Sequence, residues 1–246
     1  HVTPGSIPSM TITIIDNDAI GVAFSSQTYS VDEDDNTANV TVQIQSGIVE
    51  RDIIVSLGTI PGTASPGVDY TTHNAQLTFS PGSAGPKLVQ ISLVDDNRVE
   101  GDELFTVFLS TTDPDVNILN SPATIRILDD DVATVKFKSS AYQVNEGARQ
   151  ITVGLDVTST GVRDISLTAR LSTANIGATA GQDFTGIDKN ITISPSTTEI
   201  LETISISEDG SLENNETFSV TVTSQSTPLL VTDLPANTMV TIIDND

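Results

Sequence analysis

Three stretches of the sequence share one ending: TITIIDND at 11–18, ATIRILDDD at 123–131 and MVTIIDND at 239–246. Each is a run of mostly β-branched and aliphatic residues that closes on an Asp-rich triplet, DND or DDD. From the first triplet to the second is 113 residues, and from the second to the third is 115. Self-similarity at a fixed long period is the mark of repeated structural units.

Landmarks between these endings recur in the same order. Tyr29-x-Val31-x-Glu33 matches Tyr142-x-Val144-x-Glu146, and further matches follow along both halves. The sequence therefore predicts a chain taken from a longer array. Its predicted parts are a tail of a preceding repeat at 1–18, a first repeat at 19–131 and a second repeat at 132–246.

Short alternating apolar segments fill each repeat. They include Val40-Val42-Ile44, Ile53-Val55-Leu57 and Phe105-Val107-Leu109, with Pro, Gly, Asn and Asp between them. Alternation of β-branched and polar residues indicates half-buried strands, and no helical period is sustained. About seven strands in some 113 residues predict an all-β chain of tandem immunoglobulin-like antiparallel β-sandwiches.

The composition excludes several functions. Lys plus Arg is 10 against 33 Asp plus Glu, a formal net charge of −23, so the surface repels nucleic acid and attracts cations. The absence of Cys removes disulfides and thiol nucleophiles, and two His are too few for a histidine-rich metal site. No apolar run approaches the length of a membrane span. We predict no enzyme, no nucleic-acid partner and no direct membrane insertion.

The acidic residues gather at turns and strand ends. In the first repeat they form runs at 32–35, 95–103 and 129–131, with a further acid at Asp69. If strand directions alternate, these runs meet at one end of the sandwich. Two like charges about 4 Å apart repel by on the order of 4 kcal/mol at an effective dielectric near 20, so the cluster needs protons or cations. Ca2+ takes 6–8 oxygen ligands and suits such a cage better than Mg2+; solvated acidic turns are the simpler alternative.

These residues together resemble the Calx-beta repeat, and the resemblance spans nearly the whole chain. It implies a seven-stranded sandwich that holds several Ca2+ ions in the loops at one end. More ions are expected in the first repeat, because it closes on three aspartates and has a following repeat to cover its cage. In the first repeat the resemblance implies the ligands Glu33, Asp69, Asp95, Asp96, Glu100, Glu103, Asp129, Asp130 and Asp131. In the second it implies Glu146, Asp183, Glu208, Asp209, Glu213, Glu216, Asp244 and Asp246.

Calx-beta repeats occur in extracellular matrix proteins, sponge aggregation factors, bacterial surface proteins and the regulatory region of sodium–calcium exchangers. The leading hypothesis is therefore a secreted or cell-surface adhesive module in which Ca2+ at the repeat ends stiffens the array. Its expected partners are the neighbouring repeats and a homotypic, cell-surface protein or glycan partner. The alternatives are an intracellular calcium-sensing tandem of an ion exchanger and a calcium-independent spacer.

Overall fold

The computed structural model describes residues 10–12 and 19–246 of the chain. Most of the tail predicted at 1–18 therefore lies outside the described residues. Where the structure is described it is almost entirely β-sheet, which confirms the predicted fold class. None of the described helices is long and apolar enough to cross a bilayer.

Two facing sheets of four and five strands make up the first repeat. They are ordered β6-β3-β1-β9 and β2-β10-β8-β4-β5. A single turn of 3-10 helix, Glu33–Asp35, follows β2. The strands are β1 (Ile20–Phe24), β2 (Thr28–Asp32), β3 (Thr37–Ser46), β4 (Ile53–Pro61), β5 (Asn74–Phe79), β6 (Lys87–Ser92), β7 (Arg98–Val99), β8 (Glu103–Ser110), β9 (Val116–Leu119) and β10 (Ala123–Leu128).

The second repeat has the same architecture, with sheets ordered β17-β13-β11-β19 and β12-β20-β18-β15-β16. Its 3-10 turn is Glu146–Ala148. The strands are β11 (Ala133–Phe137), β12 (Ala141–Asn145), β13 (Gln150–Ser159), β14 (Val162–Arg163), β15 (Leu167–Asn175), β16 (Asp188–Ile193), β17 (Glu199–Ser205), β18 (Glu216–Ser224), β19 (Leu230–Thr232) and β20 (Asn237–Ile243).

Nine strands pair within the first sandwich, where the sequence pattern predicted about seven. The first two strands of the repeat belong to different sheets. β1 pairs with β3 in one sheet, and β2 pairs in parallel with β10 in the other. The four-residue β9 then pairs in parallel with β1. The sequence predicted neither short parallel partner, because a four- or five-residue edge strand carries little alternation.

Alternation places the apolar side chains between the sheets. Along β8, Phe105, Val107 and Leu109 are buried while their neighbours face outward. The Phe105 ring stacks on Tyr70 with centroids 4.0 Å apart, and Phe184 stacks on Phe218 in the same place in the second repeat at 3.9 Å. Offset or stacked aromatic pairs add to the free energy of burial. Because the chain has no Cys, this stack and the aliphatic side chains hold each core together.

The two sandwiches contact each other directly. Strand β7, from the long acidic loop of the first repeat, pairs in parallel with β14 of the second. The side chain of Val99 in β7 is fully buried and belongs to the apolar core of the second repeat. Arg98 beside it forms an ion pair with Asp164 across the junction. The acidic loop is thus part of the interface between the repeats.

Candidate metal centres

The acidic runs of the first repeat meet at one end of the sandwich. The 3-10 turn after β2 carries Glu33, the turn after β4 carries Asp69, and the loop between β6 and β8 carries acids on both sides of β7. The end of β10 carries the closing triplet at 129–131. This is the convergence expected from alternating strand directions, and it produces two compact groups of carboxylates.

Glu33, Asp129 and Asp130 form the first group, with one carboxylate oxygen from each lying within 4.8 Å of the others. The carboxylate of Glu33 accepts a hydrogen bond of 3.2 Å from the backbone amide of Asp96. Burial, together with the charges of Asp96, Asp129 and Asp130, raises the pKa of Glu33 to about 7. A carboxylate in this position is stable in the charged form only if a cation offsets its neighbours.

The second group consists of Asp69, Glu100 and Glu103, again within 4.8 Å of one another. Asp69 is held by the backbone amide of Ser65, which donates to it at 2.5 Å. Burial and a hydrogen bond with Asp69 raise the pKa of Glu103, and burial raises that of Glu100. The two groups therefore have the same electrostatic character.

Asp129 connects the two groups. One of its oxygens accepts hydrogen bonds from the backbone amides of Glu100 at 2.8 Å and Gly101 at 2.7 Å, and the other accepts one from Asp131 at 2.9 Å. Gly101 has a φ of +85°, a left-handed conformation that favours glycine. The turn at this glycine folds the loop back, so that Glu100 lies beside Asp129.

Several buried carboxylate oxygens have no hydrogen-bond partner within the described structure. They are Asp96 Oδ1, Asp131 Oδ2, Glu146 Oε1 and Glu208 Oε2. All four belong to residues that the sequence predicted as calcium ligands. A buried charged oxygen without a partner is costly, and a bound cation would supply the missing interaction. The all-oxygen donor set therefore fits a hard divalent ion.

The second repeat builds the same arrangement with two changes among the predicted ligands, Glu208 in place of Asp95 and Asn245 in place of Asp130. Its groups are Asp183 with Glu213 and Glu216, and Glu146 with Asp244 and Asp246. The middle residue of the closing triplet, Asp130 in the first repeat, is replaced by Asn245. The side-chain oxygen of Asn245 accepts a hydrogen bond of 2.9 Å from the amide of Gly147. Asp246 is the third acid of this group, whereas Asp130 is the third acid of the matching group in the first repeat.

Five predicted ligands lie outside the four compact groups. Asp95 and Asp209 are exposed. The other three each have a buried carboxylate oxygen without a hydrogen-bond partner; they are Asp96, Asp131 and Glu208. The sequence reasoning missed Arg98, which donates a hydrogen bond of 2.7 Å to Glu100 and is the only basic side chain within 4 Å of a predicted ligand among the described residues. The sequence did offer a signal for this contact, because Arg98 is the single basic residue in the acidic run at 95–103.

Comparison with known proteins agrees with this architecture. The Calx-beta domain model matches residues 16–131 and again 129–246. The chain belongs to the Calx-beta family. The resemblance predicted from the sequence is thereby confirmed. Calx-beta domains are binding or regulatory modules, and the named relatives include no enzyme.

The relatives fall into two classes of protein. Extracellular matrix protein 3 of Lytechinus variegatus is 28% identical over 237 residues, which is 88% of this chain and 8% of that protein. Sodium/calcium exchanger 1 of Rattus norvegicus is 27% identical over 239 residues, which is 88% of this chain and 24% of the exchanger. The chain thus spans a small part of either relative.

A solved structure described as CBD12 from CALX1.2 is 23% identical and covers 91% of this chain and all of its own, with a TM-score of 0.46. A second, described as the calcium binding domain CBD12 of CALX1.1, is 22% identical. It covers 89% of this chain and 98% of its own, with a TM-score of 0.46.

Proposed function

We propose that this chain is a calcium-binding tandem module of an extracellular adhesive or matrix protein, in which Ca2+ at the repeat ends rigidifies the array. One observation carries the proposal. The loop at 95–103 provides acids to the candidate centre and also provides β7, which pairs with the second repeat. An ion that orders this loop therefore orders the junction.

The proposed ligands are the seventeen carboxylates named from the sequence. Bound Ca2+ would neutralise the carboxylates and satisfy the partnerless oxygens of Asp96 and Asp131 in the first repeat. Two groups of acids within each repeat are more than one ion needs, so several ions share the cage. The first centre holds more of them, because it keeps all three closing aspartates and has a following repeat packed against its loop.

The two classes of relative support different locations. Similarity to an extracellular matrix protein supports a secreted or cell-surface position, with neighbouring repeats and a cell-surface protein or glycan as partners. Similarity to sodium/calcium exchangers supports the alternative, an intracellular calcium-sensing tandem. Calcium affinity separates the two by analogy with EF-hand proteins, in which sensors bind at about 10⁻⁷–10⁻⁵ M and extracellular modules at about 10⁻⁴–10⁻³ M.

The test is a calorimetric titration of the chain with Ca2+, with Mg2+ as the control ion. Saturable binding with a dissociation constant of about 10⁻⁴–10⁻³ M supports the extracellular module. Micromolar or tighter binding favours the sensor. If no binding heat is measured and Ca2+ does not change the melting temperature, the chain is a calcium-independent spacer.

A further inference from the structure

The loop that contains β7 has an equivalent in the second repeat. The matching aliphatic side chain is buried in the first loop and exposed in the second. Counting along the repeat, Val99 corresponds to Leu212. The side chain of Val99 is 0% exposed and belongs to the core of the second repeat. The side chain of Leu212 is 83% exposed. A large aliphatic residue at the tip of an acidic loop is thus fully covered in one repeat and bare in the other.

The second repeat presents an apolar socket, formed by Ile165 and Leu229, to the loop that carries Val99. Ile165 and Leu229 pack against the same core. A methyl group placed on Gly101 of the incoming loop would lie 3.7 Å and 3.5 Å from their terminal carbons. The backbone amide of Asp164 also donates a hydrogen bond of 3.1 Å to the carbonyl of Val99. The socket therefore lies against the loop at Gly101, while Val99 packs into the core beside it and Asp164 holds the loop by its backbone.

The first repeat does not present a socket of this kind. The backbone contacts show which residues correspond: Ile20 donates to the carbonyl of Asp115, as Ala133 does to that of Leu229. By the same alignment of strands, Arg51 takes the place of Ile165. Arg51 is paired with Asp115 at 2.8 Å, so the surface that corresponds to the socket is charged. An exposed leucine of a second copy would gain little there.

We infer that Leu212 is a docking tip for a further repeat joined directly after Asp246, and that the repeat it fits carries an apolar socket like that of residues 165 and 229. The equivalence to Val99 is the reason for this choice of occupant. The position matching Arg98 is Ser211, so this contact lacks the cross-junction ion pair and depends on the apolar tip. The inference goes beyond the proposed function and does not require calcium.

The absence of Cys from the chain permits a direct test. A second copy of residues 132–246 is appended after Asp246, and Leu212→Cys is placed in both the original and the extended chain. Cys is a small apolar residue, so it keeps the character of the tip. Thiol alkylation is then timed once circular dichroism has shown that the added copy is folded. Leu201→Cys, at an outward-facing residue that is 62% exposed, is the matched control.

We expect alkylation at position 212 to slow by about tenfold or more in the extended chain, as for a site that must open before it reacts. Alkylation at position 201 should not change. Ile165→Arg with Leu229→Asp in the appended copy alone reproduces the charged surface of the first repeat and should restore fast alkylation. Equal rates at position 212 in the original and extended chains overturn the inference.

Two further measurements distinguish docking of a following repeat from self-association. Protection of position 212 in the original chain on addition of excess wild-type chain would assign the tip to self-association and overturn the docking of a following repeat. In the extended chain without introduced cysteines, Leu212→Asp should broaden the distance distribution from small-angle scattering relative to the unsubstituted extended chain. A profile unchanged by Leu212→Asp also counts against docking. Neither readout measures calcium binding, so the result stands apart from that of the proposed function.

Discussion

Thr160 of the second repeat donates a hydrogen bond of 2.7 Å from its hydroxyl to Asp131 in the closing acidic run of the first. The other side-chain oxygen of Asp131 is buried and has no partner within the described structure. The carboxylate thus connects the candidate metal centre to the neighbouring repeat. Removing the hydroxyl of Thr160 leaves this buried charge short of a partner.

We expect Thr160→Val to lower the free energy of unfolding by about 1–3 kcal/mol in EDTA, since it strands a buried charged acceptor. The loss should be smaller in Ca2+, because the ion compensates the same carboxylate. Urea denaturation in the two conditions measures both values. Thr158→Val, at a more exposed Thr–Thr pair, is the control and should have little effect. Equal losses at both positions would contradict a special role for Thr160.

Calcium should raise the melting temperature. The folded cage binds the ion and the unfolded chain hardly does, so each independent site adds about 2.7 kcal/mol at 100 times its dissociation constant. Differential scanning calorimetry in EDTA and in excess Ca2+ measures the shift, and Mg2+ serves as the control. Coincident melting curves in EDTA and Ca2+ would contradict the proposal that these acids bind calcium.

Metal-free stability should fall as the pH rises from about 4.5 to 7. The pKa of Glu33 is raised from 4.5 to about 7 in the folded state, chiefly by burial, so the folded protein binds more protons than the unfolded chain in that window. In Ca2+ the trend should reverse, because the ion binds the deprotonated form. Melting temperatures at several pH values with EDTA or Ca2+ test this. Glu33→Gln should make the EDTA curve shallower, with the remaining slope due to groups such as Glu103, whose pKa is also raised to about 7. A flat curve for the wild type would contradict the assignment.

The first centre should account for more of the calcium binding than the second. Asp96→Ala removes a proposed ligand that carries a partnerless buried oxygen, and we expect the loss of most high-affinity binding. Asp209→Ala, at the corresponding exposed position of the second repeat, is the matched variant and should remove less. Calorimetric titration of both variants gives the comparison. A greater loss for Asp209→Ala than for Asp96→Ala would reverse this ranking.

The sequence predicted what depends on local pattern. Alternation along stretches such as Phe105-Val107-Leu109 predicted strands with one buried face, and the structure has them. The position of the acidic runs at turns and strand ends, with alternating strand directions, predicted convergence at one end, and carboxylates such as Glu33 and Asp129 do converge there. Both inferences require only periodicity and strand direction.

The rest depends on contacts between distant residues. The two-residue strand β7 exists only because β14 of the next repeat pairs with it, and the burial of Val99 depends on that neighbour. Val99 and Leu212 are both aliphatic residues followed by a Glu in an acidic loop, so the local pattern does not reveal that one is buried and the other exposed. Sequence patterns do not encode such partners.

Two forces act on the junction. The apolar contact of Val99 and the Arg98–Asp164 ion pair favour a fixed angle between the repeats. The carboxylates on the same loop repel each other when no ion is bound and favour a loosened loop. If Ca2+ removes that repulsion, the packing that already exists can hold the angle. Calcium then controls the stiffness of the junction without itself bridging the repeats.

Small-angle scattering measures this balance. The maximum dimension of the wild-type chain should be longer and better defined in Ca2+ than in EDTA. Val99→Asp places a charge in the second repeat's core and should leave the junction loose in both conditions, while Leu201→Asp on the outer face should behave as the wild type. Wild-type profiles that superimpose in Ca2+ and EDTA, with both repeats folded, would show that packing alone fixes the junction. Calcium would then have no part in stiffening the array.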